Sequence, residues 1–284
     1  MNGRPEALAR PLDTAARPPR RLGDRLRSPK VLAPVLVGLL ALAGWEALVR
    51  AYALPPYVLP GPLAVALALV ADGPSLLASL AVTVRITLLA LALAVAGGVG
   101  LAVLSAQSRW IELSLFPYAV VLQVTPIVAI APLIIIWVDD VTLALLICAW
   151  IVAFFPILST TTLGLNSADR NLLDLCRLYG APRWRVLWHL RLPGALPYFL
   201  GGLRISGGLA LIGAVVAEFV AGTAGTEGGL AYRILEAGYR LQIPKMFAAL
   251  LLISLTGVAI FLLLTLVSHL ALRRWHESAL PPEG

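Results

Sequence analysis

Six stretches of this chain, roughly residues 31–50, 77–105, 113–138, 141–165, 198–222 and 246–271, are long and apolar enough to cross a bilayer. A helix needs about 20 such residues to span a hydrocarbon core of about 30 Å. Within lipid a backbone N–H or C=O finds no water, so only helices and closed barrels can span. None of the six shows the alternating pattern of a barrel strand. The spacing therefore predicts an all-α membrane protein with six transmembrane helices. Composition agrees: 60% of the 284 residues are hydrophobic, 13% are charged, and the mean hydropathy is +0.89. A soluble domain carries about 25% charged residues. Too little polar surface is left here to cover a water-soluble body.

The net charge of +7 would suit nucleic acid, but its placement argues for topology instead. Eight of the 22 Lys and Arg residues fall in the first 30 positions, and six lie between Arg170 and Arg204. With the N-terminus inside, segments 1–30, 106–112, 166–197 and 272–284 hold 16 of them. The outer side holds Arg50, Arg233, Arg240 and Lys245. This is the bias of cytoplasmic loops toward Lys and Arg. It predicts a basic disordered tail over 1–30, a six-helix membrane domain over 31–272 and a short tail over 273–284, both termini being cytoplasmic. Lipid is an expected partner and nucleic acid is not. The basic start and the following apolar run look like a signal peptide. That run is about 19 residues, however, which is span length, and no small-residue cleavage pattern follows. It is taken as an uncleaved first span. Cys148 and Cys176 lie in apolar stretches without a CxxC or a His at ligand spacing, so neither a metal site nor a disulfide framework is expected.

The third span contains Pro117, Pro126 and Pro132, with Gln123 and Thr125 beside the middle one. Proline removes a helical donor and clashes with the turn before it, so a kink or break is expected near Thr125–Pro126. Such a bend can improve packing, or it can line a cavity where the freed backbone groups find water or protein. On the second reading Gln123, Thr125, Pro126 and Glu218 are pathway candidates. Charges within spans face cavities or one another. Arg85 is accordingly expected to pair with Glu218 or Glu46, a substrate contact being the alternative. Glycines cluster at 97, 98 and 100, at 201 and 202, and at 207 and 208, as at close helix crossings.

The longest inside connection, 166–197, has its own punctuation. "NLLDLCRLYG" gathers Leu172, Leu173, Leu175, Cys176 and Tyr179 on an apolar face and ends in Gly180, a common left-handed helix terminator. Pro182 then stands where a second helix would start. "RWRVLWHL" follows, and Pro193 is expected to stop it. Two short amphipathic helices meeting at a sharp corner would serve as an interfacial anchor, with Trp and Arg at headgroup level.

From Asp174 to Pro193 the chain reads "DLCRLYGAPRWRVLWHLRLP", which resembles the EAA loop of ABC-importer permeases. Asp174, Leu175 and Cys176 stand at the EAA positions, Gly180 at the Gly, Leu190 at the Ile, and Leu192–Pro193 at the Leu-Pro. Asp for Glu and Leu-Cys for Ala-Ala are the departures. "LQVTPIVAIAPLIIIW", "LRISGGLALIGAVVAEFVAG" and the stretch from Gly228 to Phe261 extend the likeness, from about the third span to residue 275, to permeases of the nitrate, sulfonate and taurine type. The resemblance implies a coupling loop that docks on a separate ATPase chain, with Asp174, Arg177, Gly180, Ala181, Arg183, Arg185, Leu192 and Pro193 as its residues. It also implies ATP and Mg bound on that partner with no cofactor on this chain, a periplasmic or extracellular binding protein, a second permease copy as a homodimer, and a bacterial inner membrane. Residues 222–245, with Tyr232 and Tyr239, would form part of the outer gate. The chain has no G-x-x-x-x-G-K-[ST] phosphate loop; "GTAGTEGG" at 222–229 lacks the Lys. Permeases for pyrimidine-like vitamin precursors belong to the same resembled group, so a small heterocycle stands as the alternative substrate. A secondary transporter would show internal repeats and membrane-depth ionisable series, neither of which is found. An enzyme would need more than His189, His269 and His276, which have no triad or metal spacing.

Overall fold

The computed structural model describes residues 29–222 and 228–273. Of the tails expected over 1–30 and 273–284, residues 1–28 and 274–284 lie outside the described residues, as do residues 223–227 of the glycine-rich outer segment, while Pro29 and Lys30 already belong to a helix. The chain divides into two units, 1–53 and 54–284, and each is described by itself.

The described part of the first unit is dominated by one helix, α1 (Pro29–Ala51). Leu36, Val37, Leu39 and Leu40 are all exposed, so the helix is apolar around its circumference, as suits a lipid-facing span. Its Glu46 accepts a hydrogen bond from Arg50 Nε one turn later, at 2.7 Å. The ion pair sought for Glu46 is therefore with Arg50, a neighbour on its own helix.

The second unit contains α2 (Pro62–Ala71), α3 (Gly73–Gln107), α4 (Arg109–Val124), α5 (Ile127–Trp137), α6 (Val141–Asn166) and α7 (Arg170–Leu178). Then come α8 (Arg183–Val186), a π-helical turn (Leu187–Arg191), α9 (Leu192–Ala221), α10 (Leu230–Tyr239) and α11 (Ile243–Leu272). No strand occurs among the described residues. Among the described residues five helices are long and apolar enough to cross a membrane, and α4 with α5, bent by 102° at their junction, makes up to six.

The third span breaks where proline chemistry requires it. Helix α4 closes at Val124 with Thr125 as its C-cap, and Pro126 caps the start of α5. Thr125 N–H still reaches the Val121 C=O at 3.1 Å, and Ala129 N–H reaches the Pro126 C=O at 2.9 Å, so the ends at the bend stay partly paired. Asp140 then caps α6, accepting from Leu143 N–H at 2.8 Å, as a tight turn between the third and fourth spans requires.

Pro193 does not stop its helix. The chain runs helically from Arg183 to Ala221, 39 residues without interruption. The π turn explains this. Its wider winding lets Leu192 N–H bond the Leu187 C=O, five residues back. The missing donor of Pro193 falls in the first turn of α9, where it is tolerated.

In the second unit α6 packs between α3 and α9. The buried surface is made mostly of small residues, among them Ala90, Ala94, Ala149, Ala153, Ala210 and Ala214, while Leu88, Leu89, Leu93 and Ile212 are exposed. Lipid is as apolar as leucine, so close backbone approach, rather than exclusion of large apolar groups from solvent, holds such helices together. At Gly213 a Cβ would lie 2.9 Å from Ala149 Cα. Gly98, Gly202 and Gly207 also sit in tight contacts, whereas Gly100, Gly201 and Gly208 face open space. Replacing Gly213 by Val should overpack the α6–α9 crossing and cost about 1–3 kcal/mol. Thermal unfolding of the purified protein in detergent should show that loss and show none for Gly208→Ala.

Candidate functional site

The two ends of the second unit are marked by hydrogen bonds. Arg191 Nη1 donates to the Ala106 C=O at 3.1 Å, tying the π turn to the end of α3. Lys245 Nζ meets Asp72 Oδ1 at 2.7 Å, tying the start of α11 to the start of α3.

At the first end α7 and α8 form the corner. Asp169 Oδ1 caps α7 by accepting from Asn171 N–H at 2.8 Å. Gly180 closes it with φ +64. Ala181 N–H bonds the Cys176 C=O at 2.9 Å and Gly180 N–H bonds the Arg177 C=O at 3.0 Å. These are the two bonds of a Schellman motif, which needs a left-handed residue at this position. Pro182 N-caps α8. Arg177 pairs with Asp174 at 2.7 Å, both side chains being largely exposed, so the pair adds little stability. Leu172, Leu175, Leu178, Tyr179, Trp184 and Trp188 are exposed. The apolar side of the corner is therefore uncovered by the chain itself. Of the residues singled out in the sequence, the corner gathers Asp174, Arg177, Gly180, Ala181, Arg183 and Arg185. Leu192 and Pro193 fall instead in the first turn of the long α9.

At the opposite end lies a device the sequence did not disclose. Glu218 on α9 is 1% exposed. Its Oε1 accepts from Thr83 Oγ1 at 2.8 Å, and its Oε2 accepts from Ala231 N–H at 3.1 Å. Thr83 Oγ1 in turn accepts from Leu230 N–H at 2.9 Å. A carboxylate from one helix thus caps the first turn of another, where backbone donors are unpaired and the helix dipole favours negative charge. Gly229 is required for the approach, because a Cβ there would collide with both Glu218 oxygens. The flanking "GGL" was the one available signal, since glycine before a short helix permits such closeness.

The ion pair expected between Arg85 and Glu218 does not form. Both Glu218 oxygens are engaged by Thr83 and Ala231, and the Arg85 side chain is exposed, with no ion pair to another described residue. Gln123 is exposed just before the break, while Thr125 Oγ1 donates back to the Val121 C=O at 2.7 Å. Glu218 is thus sealed and Gln123 is open, although Ile127, just after the break, packs against a cluster that includes Ala214 and Ala217 on the helix that carries Glu218.

The cap continues into a polar cluster on α10. Arg233 Nε donates to Ser79 Oγ at 2.9 Å, and Glu236 receives Arg233 at 2.8 Å and Arg240 at 3.0 Å. The Arg233 hydrogen bond foremost, helped by the charges of Arg240, Arg233 and Lys245, holds the Glu236 carboxyl below its ordinary range. A Leu at position 241, with φ +56, closes α10 through a bond from Gln242 N–H to the Ala237 C=O at 2.8 Å.

Comparison with known proteins gives a consistent result. The family model described as binding-protein-dependent transport system inner membrane component matches residues 98–276. An ABC transporter permease protein of Haemophilus influenzae is 32% identical over 84% of this chain and 96% of its own length. The formylaminopyrimidine transport permease of Halalkalibacterium halodurans is 31% identical, covering 82% of this chain and 91% of that one. The taurine transport system permease of Escherichia coli is 28% identical, covering 72% and 70%. The crystal structure of an amino acid ABC transporter with histidines shares the fold, with a TM-score of 0.60 at 19% identity over 73% of this chain and 97% of that chain. The chain belongs to the family of binding-protein-dependent transport system inner membrane components.

Two outcomes follow from the polar cluster at the α10 end. Glu218→Ala removes buried acceptors at a cost of about 1–3 kcal/mol, so amide exchange at Leu230 and Ala231 should quicken by roughly tenfold or more. A carboxyl with a lowered folded pKa stabilises above its unfolded value and loses that contribution as pH falls through the folded one. Protection of the α10 amides, referred to intrinsic exchange at each pH, should therefore fall only below the ordinary carboxylate range, and Glu236→Gln should remove that step.

Proposed function

We propose that this family member is the membrane subunit of an ATP-driven importer, one chain forming half of a pathway completed by a second identical copy. The corner observation carries the proposal. Gly180 locks two short helices at a fixed angle, Arg191 ties them to α3, and their apolar side is left uncovered. Such a surface suits docking on an ATPase that binds ATP and Mg on its own chain. Asp174, Arg177, Ala181, Arg183 and Arg185 form its polar rim, while Leu192 and Pro193 join it to α9. The Arg-rich end then faces the cytoplasm of a bacterial inner membrane, with both termini on that side. The α10 end faces a substrate-binding protein outside.

A mechanism follows from continuity. The helix from Arg183 to Ala221 is 39 residues, about 58 Å at 1.5 Å per residue, roughly twice the hydrocarbon core. A rigid displacement of the corner would be carried along this rod to Glu218, which holds the start of α10. Movement there would open or close the outer side, while Gln123, Thr125 and Pro126 at the break line the route.

The proposed cargo is a small substrate of the nitrate, sulfonate and taurine class, supported by the taurine permease among the relatives. A small heterocycle is the second reading, favoured by the longer match to the formylaminopyrimidine permease. Gly180→Val places a β-branched residue at φ +64, at a cost of order 1–3 kcal/mol. The variant should insert and pair normally, yet ATP-driven uptake of taurine or formylaminopyrimidine by reconstituted vesicles should fall by roughly tenfold or more. Undiminished uptake would contradict the coupling role.

A further inference from the structure

Two cavities meet at Arg109. The first, about 530 Å³, lies between the end of α3, the start of α4 and the corner, and four guanidinium groups line it, those of Arg109, Arg177, Arg183 and Arg191. The second, about 500 Å³, is a groove between α4 and α6 whose lining joins Leu113, Phe116 and Leu163 to polar residues that include Arg109, Glu112 and Asn166. Arg177 is already paired with Asp174, and Arg191 is bonded to the Ala106 C=O. Arg109 and Arg183 have no ion pair among the described residues. Arg109, with Glu112 one turn along α4, and Arg183 are exposed and can present planar forks that match phosphate oxygens in pairs.

The surroundings identify the source of that phosphate. Trp110, next to Arg109, is 83% exposed, and exposed tryptophan on a membrane protein marks the headgroup level. The groove that shares Arg109 sets Leu113, Phe116, Pro117 and Leu163 beside polar residues and runs alongside α4. A free anion or an acidic side chain would use the cleft alone, whereas a phospholipid would use the cleft and the groove together. Basic pockets between membrane helices at the cytoplasmic face suit anionic headgroups. We infer that this cleft and groove bind one anionic phospholipid, its phosphate on Arg109 and Arg183 and an acyl chain along Leu113, Phe116 and Leu163. The lipid would bridge the corner to α4. The inference does not require the proposed cargo, but it shares Arg177, Ala181 and Arg183 with the rim proposed for the ATPase, so the test reads lipid and ATPase separately.

The test is native mass spectrometry of the full-length chain in detergent, given phosphatidylglycerol or phosphatidylcholine with identical acyl chains. The wild type should retain phosphatidylglycerol preferentially. Arg109→Gln with Arg183→Gln should lower that retention by roughly tenfold and leave phosphatidylcholine unchanged. Arg109→Lys with Arg183→Lys should preserve it only in part, keeping the charge without the fork, Phe116→Asp should weaken it, and millimolar inorganic phosphate should not displace it. Equal retention of the two lipids, or a double Gln variant that binds like wild type, would overturn the inference. So would displacement by inorganic phosphate with Phe116→Asp silent, or loss of ATPase co-purification from the double variant with lipid unchanged. Should the double Gln variant not fold, Arg183→Gln alone, on the exposed corner, gives the same comparison.

Discussion

Within a hydrocarbon core an unpaired backbone N–H or C=O costs several kcal/mol, and the departures from straight helix in this chain are arranged around that cost. At the π turn Leu192 N–H finds the Leu187 C=O, so α8 and α9 become one rod across Pro193. At the start of α10 two backbone donors find Thr83 and Glu218. At the corner the Schellman bonds close α7. The break at Thr125–Pro126 retains its flanking bonds but leaves an open, sharply bent segment.

Alanine and glycine bring α6 close to α3 and α9, and leucines and isoleucines are left on the outside. A bundle packed through small residues has little room for its helices to slide independently. Motion imposed at one end is then more readily transmitted as displacement of whole helices than absorbed locally. On the proposed reading, the corner, the rod and the Glu218 cap form one mechanical line between the two faces of the membrane.

Much of this was legible in the sequence because it depends on local chemistry. Apolar run length revealed the spans, proline revealed the break, and Gly180 revealed the corner through its left-handed backbone. Arg85 and Pro193 misled for opposite reasons. A charge inside a span suggested an intrachain partner, but Arg85 is exposed and Glu218 is satisfied by Thr83 at a separation of 135 residues. A proline suggested a helix end, but a π turn rewound the backbone around it. Beyond the "GGL" signal the Glu218 cap was not legible, because its partners Thr83 and Ala231 come from two other segments that only the folded bundle brings together. The short helices α2 and α10 fall below the length at which apolar periodicity separates a helix from a loop.

The central claim is that the α7–α8 corner is the surface met by the ATPase. Cysteine cross-linking tests it most directly, in a background where Cys176, which lies on the corner, is replaced by Ser and Cys148 stays buried. Single cysteines at Leu175, Ala181 and Trp184 should cross-link to cysteines on the co-purified ATPase subunit, and the yield should change when ATP is added. A cysteine at Tyr239 on the opposite end should not. Cross-links from Tyr239, with none from any of the three corner positions, would contradict the account.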